Sequence, residues 1–121
     1  MNIVVLDTTA LSLIGTGRLS SLIAAAHRPE TDRRVLAPSM CLALVANRLI
    51  AEHVLMLPAL DVVDLTASQA VGCAALLEQG LEPHHAPAAV VAASVAGAGG
   101  YPVLTAEPKG YDGTGITALQ V

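Results

Sequence analysis

Ile3, Val4, Val5 and Leu6 form an unbroken apolar run that ends on a lone acid, Asp7. Two hydroxyls follow, Thr8 and Thr9, and then apolar residues at helical spacing: Ala10, Leu11, Leu13 and Ile14. A short run of this kind, rich in β-branched residues and without polar alternation, suits a strand buried on both faces, the habit of parallel sheets. Asp7 then stands at the carboxyl end of the first strand. In an open α/β sheet, ligands and chemistry collect at that edge. What else reaches the edge decides most of the functional reading.

The rest of the chain alternates as such a sheet requires. After one or two helical turns over 10–14, broken at Gly15 and Gly17, residues 19–27 read as a second short helix stopped by Pro29. Val35, Leu36 and Ala37 make a second strand. Pro38 and Ser39 open a third helix, with Ser39 as its cap and 40–52 as its body. Residues 54–60 read as a connection and 61–65 as a third strand. Thr66 and Gln69 have the spacing of a capping box, which predicts a helix over 67–79 with its stop at Gly80. Pro87 suits the first turn of a further helix running to about Val95 and ended by Gly97, Gly99 and Gly100. Residues 102–105 are a fourth strand, 109–115 a turn-rich loop, and 116–119 an edge strand. The order β-α-α-β-α-β-α-α-β-β, without repeat or linker, predicts a single domain over 1–121. Its fold class is α/β, a three-layer α/β/α sandwich on a mostly parallel sheet of four to five strands.

Composition narrows the function classes. Apolar residues make up 54% of the 121 and charged ones 13%, which excludes a disordered chain and suffices for a core without staples. With no Phe or Trp and only two Tyr, the core is to be packed from Ala, Val, Leu and Ile. A net charge of −4 argues against holding a polyanion by the protein's own field. The basic cluster Arg28, Arg33 and Arg34 shares its segment with Glu30 and Asp32; it reads as a solvated connection, the other reading being a phosphate contact. Cys41 and Cys73 lack metal-like spacing and read as reduced core thiols of a cytoplasmic protein. No cationic leader precedes an apolar segment. The least polar stretch, 86–98, is too short to cross a bilayer, so it reads as a buried helix and no membrane partner is expected.

Two acids lie just past strand ends, Asp7 after IVVL and Glu107 after PVLTA. On neighbouring parallel strands their carboxylates converge, and converging carboxylates hold a divalent cation or else one takes a proton or a hydroxyl partner. The structural alternative is that each caps the helix or turn that follows it. His84 and His85 precede the helix over 87–95. A polar pair beside Pro83 is ordinarily solvated; the functional reading makes them metal ligands or a general base. Asp112 could bring a third carboxylate from the last loop. Asp61 and Asp64 read as solvent-facing, and His27 and His53 as helix-end residues suited to the dipole. There is no phosphate loop, since Gly15-Thr16-Gly17 follows a helix and lacks the spacing, and no serine elbow, Cys/His metal set or base-stacking aromatic pair.

VLDTTALSLI near the start and PVLTAEPKGY near the end resemble the PIN-domain family, the fold of VapC-like toxins. The likeness extends over essentially all 121 residues, through the helix after APSM and the helix opened by Thr66-Ala67. The resemblance implies a Mg²⁺- or Mn²⁺-dependent ribonuclease with four acids, bound and silenced by a small antitoxin. Asp7 matches the first acid. Glu107 stands where the fourth is normally an Asp after Thr-x, so Thr105 matches too. The second acid falls at or near Leu44 and the third at Ala88, so two family acids are lost and the cleft should be drier for it. Asp7 and Glu107 could still hold one Mg²⁺ weakly, with Thr8 or Thr105 positioning water and His85 or Asp112 as further ligands. The expectation is therefore a VapC-type relative with a degenerate acidic site, acting through a protein partner (an antitoxin or DNA-binding regulator) rather than by efficient catalysis. The alternative is a ribonuclease using a reduced Mg²⁺ or Mn²⁺ site around Asp7 and Glu107. The partner reading predicts an exposed apolar patch, most naturally on the helices of the N-terminal half. A homodimer would be ordinary for the family.

Overall fold

Five parallel strands run through the centre of the computed structural model, which describes residues 2–14, 16–17, 19–28, 33–94 and 100–121. They are β1 (Asn2–Leu6), β2 (Arg33–Pro38), β3 (Leu60–Val63), β4 (Val103–Thr105) and β5 (Ala118–Gln120), in the order β3-β2-β1-β4-β5. Every pairing is parallel, and helices flank the sheet in the three-layer α/β/α arrangement. The apolar run is the central strand: Val5 pairs with Leu36 on one side and Val103 on the other. With a strand on each edge and helices over the faces, Val5 and Leu6 are fully enclosed.

The helices are α1 (Thr8–Leu11), α2 (Ser20–His27), α3 (Ser39–Leu44), α4 (Arg48–Leu55), α5 (Ala67–Glu78) and α6 (Ala86–Ala93), with a 3-10 turn at Pro108–Tyr111 before β5. Thr66 and Gln69 form the capping box at α5, and Gly80 lies just beyond its end at φ +96°, a conformation that favours glycine. The stretch at the start of 86–98 is indeed a buried helix: residues 86–92 of α6 are all buried. Its continuation to Val95 and the stop at Gly97 and Gly99 lie outside the described residues, as do Gly15, Pro29, Glu30 and Asp32.

Three local expectations are corrected. The helix expected over 40–52 is two helices, because Ala46 turns to φ +57° and the Asn47 side chain accepts from the Leu49 and Ile50 amides, starting a new helix. Asn47 is a better cap than a helix interior residue. Ser39 makes no cap; α3 starts from Pro38 without a side-chain bond. The core is not purely aliphatic, since Tyr111 is the largest fully buried side chain and joins the central cluster.

The apolar surface is uneven. No residue of α5 is buried, although the helix is mostly apolar, and Val71 and Leu77 stand exposed. Met40, Leu44, Leu49, Leu55 and Met56 are exposed on and beside α3 and α4. Arg34 and Asp61 pair across β2 and β3 at 2.7 Å. Both are half exposed, so the pair contributes little. Among the described residues, no helix is long and apolar enough to cross a membrane.

Candidate functional site

The carboxyl ends of β1 and β4 lie side by side, so Asp7 and Glu107 emerge at the same edge. Asp7 is fully buried, and each of its oxygens is engaged. Oδ1 accepts from the Ala10 amide at 3.0 Å, which caps α1, and from Thr9 Oγ1 at 2.6 Å. Oδ2 accepts from the Tyr111 hydroxyl at 2.7 Å. Burial, and then the charge of Asp7, push the Tyr111 phenol far above its ordinary range. The hydroxyl therefore keeps its proton and donates it.

Behind Asp7 runs a chain of hydroxyls. Because the Thr9 proton is committed to Asp7, the 3.0 Å contact between the Thr9 and Thr105 hydroxyls has Thr105 as donor. Thr9 Oγ1 also accepts from the Ala106 amide at 2.9 Å, and Thr105 Oγ1 accepts from the Glu107 amide at 3.0 Å. The order Glu107 amide, Thr105, Thr9, Asp7 sews the end of β4 to the end of β1. Bonds in such a chain polarise one another, so it is worth more than its separate links.

The histidine pair is not solvated as a pair. His84 is partly exposed and its Nε2 lies 3.2 Å from Glu107 Oε1. His85 is only 2% exposed, and neither of its ring nitrogens has a hydrogen-bond partner among the described residues. Its Nε2 is 3.8 Å from Glu107 Oε1 and 3.9 Å from Asp7 Oδ2, too far for a hydrogen bond to either. The ring is wedged against Tyr111, with centroids 4.8 Å apart, and against the backbone of Gly110, where a Cβ would collide with it. Burial first, and then His84, hold its imidazole below the ordinary range, so it is neutral at pH 7.

The remaining sequence candidates are dispersed. Thr8 makes no hydrogen bond to Asp7 or Thr105 and donates to the Cys41 carbonyl at 3.2 Å; Thr9 supplies the hydroxyl at Asp7 instead. Asp112 is exposed and borders a shallow depression with Leu76, Gly80 and Gly113. Ala88 is sealed in α6, but Leu44 is 42% exposed at the end of α3, so only one of these two positions holds a buried apolar residue. Cys41 is buried and free, with its thiol pushed up to about 12 chiefly by burial; Cys73 is half-buried and free.

Sequence reasoning missed Tyr111. The signal was available: in a chain without Phe or Trp, a tyrosine is the largest core filler at hand, and its hydroxyl needs a partner once buried. Set against protein-family models and against curated proteins, the chain matches none.

Proposed function

We propose that the chain is a PIN-like domain of the VapC type whose acidic site has become a structural joint, and that it acts through a small protein partner, an antitoxin or DNA-binding regulator. The observation that carries this reading is the closure of Asp7. Its carboxylate is enclosed by Tyr111, Thr9 and the Ala10 amide of α1, with no exposed face. Mg²⁺ and Mn²⁺ favour a near-octahedral set of oxygens and retain several waters. That demand fits poorly with a dry carboxylate whose oxygens already accept three hydrogen bonds, beside a neutral imidazole. The apolar side chains exposed on α3 and α4, Met40, Leu44, Leu49 and Leu55, support a protein-binding role.

The test is cleavage of mixed single-stranded and hairpin RNA with Mg²⁺, Mn²⁺ or EDTA, run beside Asp7→Asn and Glu107→Gln. The expected result is no metal-dependent cleavage by any of the three. Cleavage that needs metal and disappears in Glu107→Gln, a variant at an exposed side chain, would overturn the proposal. Circular dichroism of each protein separates a lost activity from a lost fold.

A further inference from the structure

His85 presents the least settled side chain among the described residues. A buried imidazole with two unpartnered nitrogens forfeits its hydration without recompense, and a group left so calls for a partner such as a bound ion. Its surroundings say which kind. One ring nitrogen of His84, one of His85 and a carboxylate oxygen of Glu107 lie within 4.8 Å of one another. From these three atoms we infer a binding site for a zinc-class transition-metal ion, built by His84, His85 and Glu107.

Two of the three donor separations are close to what such an ion needs, and the two imidazole nitrogens lie within 4.8 Å of each other. Ligand bonds of about 2.1 Å in a tetrahedron put neighbouring donor atoms about 3.3–3.4 Å apart. His84 Nε2 and Glu107 Oε1 are 3.2 Å apart, and His85 Nε2 and Glu107 Oε1 are 3.8 Å apart. The two ligands that must adjust are the free ones, since His84 and Glu107 both reach solvent while His85 is clamped by Tyr111 and Gly110. Binding would exchange the His84–Glu107 hydrogen bond for two metal bonds and give a His85 nitrogen its partner.

The donor set also selects the ion. Two imidazoles and one carboxylate suit Zn²⁺ and its Co²⁺ and Ni²⁺ analogues, whereas Mg²⁺ prefers oxygen alone. Three protein ligands, two of them open to solvent, leave the fourth position to water. The inference stands apart from the function proposed above, because it uses neither the closed Asp7 nor any family likeness.

The test is titration of the untagged, full-length chain with Co²⁺, followed by visible absorption, and with Zn²⁺, followed by calorimetry. One site is expected, with the intense d–d bands of tetrahedral Co²⁺, no sulfur-to-cobalt charge transfer, and no heat from Mg²⁺. Loss of a direct ligand should exceed the 10- to 100-fold effect of outer partners, so His84→Ala and Glu107→Gln should each weaken Zn²⁺ binding by about 100-fold or more. Both changes are at solvent-reaching side chains, so the variants should fold as the parent does. His27→Ala and His53→Ala should bind as the parent does. Absence of Zn²⁺ binding, octahedral Co²⁺ alone, or affinity unchanged in both ligand variants would overturn the inference.

Discussion

Tyr111→Phe removes one oxygen and keeps the ring. The ring stays in the core cluster against His85, so no cavity opens, and the effect falls on a single bond, the 2.7 Å contact to Asp7 Oδ2. Among the described residues no other donor is placed to replace it: His85 Nε2 is 3.9 Å away, beyond hydrogen-bond reach, and the Thr9 and Ala10 donors are already spent on Oδ1. Losing a hydrogen bond to a charged group and stranding the buried oxygen costs about 1.5–3 kcal/mol. Unfolding 121 residues carries roughly 0.25 kcal/mol/K of entropy, so the melting midpoint should fall by about 6–12 °C. In urea the midpoint should move down while the slope stays the same, because the surface exposed on unfolding is unchanged. Tyr101→Phe, at the only other tyrosine, is the control. A Tyr111→Phe protein within about 0.5 kcal/mol of the parent would refute the idea that Asp7 is held by this hydroxyl.

Three further outcomes follow from the same edge. Gly110→Ala should destabilise by about 1–3 kcal/mol, because the new Cβ runs into the His85 ring rather than into space; a urea midpoint equal to the parent's would contradict that packing. The His85 value is lower folded than unfolded, so the unfolded chain binds more protons as the pH falls. Its contribution is complete above about pH 6.5 and is lost as the pH drops through the folded value, so urea midpoints should decline from about pH 7.5 to about pH 5.5, and a rise over that window would be the wrong sign. A thiol reagent should label Cys73 in the native protein and reach Cys41 only on unfolding; equal labelling rates would show Cys41 to be accessible.

The fold was largely legible because its signals are local. An uninterrupted apolar run, a capping box at Thr66 and a proline in the first turn of α6 each act within a few residues, and together they dictate strands, helices and a parallel sheet. The break at Ala46 escaped because composition favours a continuous helix there, and only the side-chain bonds of Asn47 reveal the second start. The site was legible only in outline. Asp7 and Glu107 meet at one edge because β1 and β4 are neighbours, which topology foretells. Which hydroxyl closes on Asp7 depends on contacts that span about a hundred positions, Thr9 with Thr105 and Asp7 with Tyr111, and no spacing rule reaches that far. The burial of His85 likewise comes from Gly110, a residue whose lack of a side chain carries meaning only once the ring is seen against it.

The closure of Asp7 is tested most directly by a crystal grown with Mn²⁺ in excess and measured for anomalous scattering. A structural Asp7 predicts the Tyr111 hydroxyl still bonded to Oδ2 and no Mn²⁺ peak on either carboxylate oxygen. A Mn²⁺ ion bound to Asp7, with Tyr111 swung out, would return the residue to the role of a metal ligand and contradict the reading.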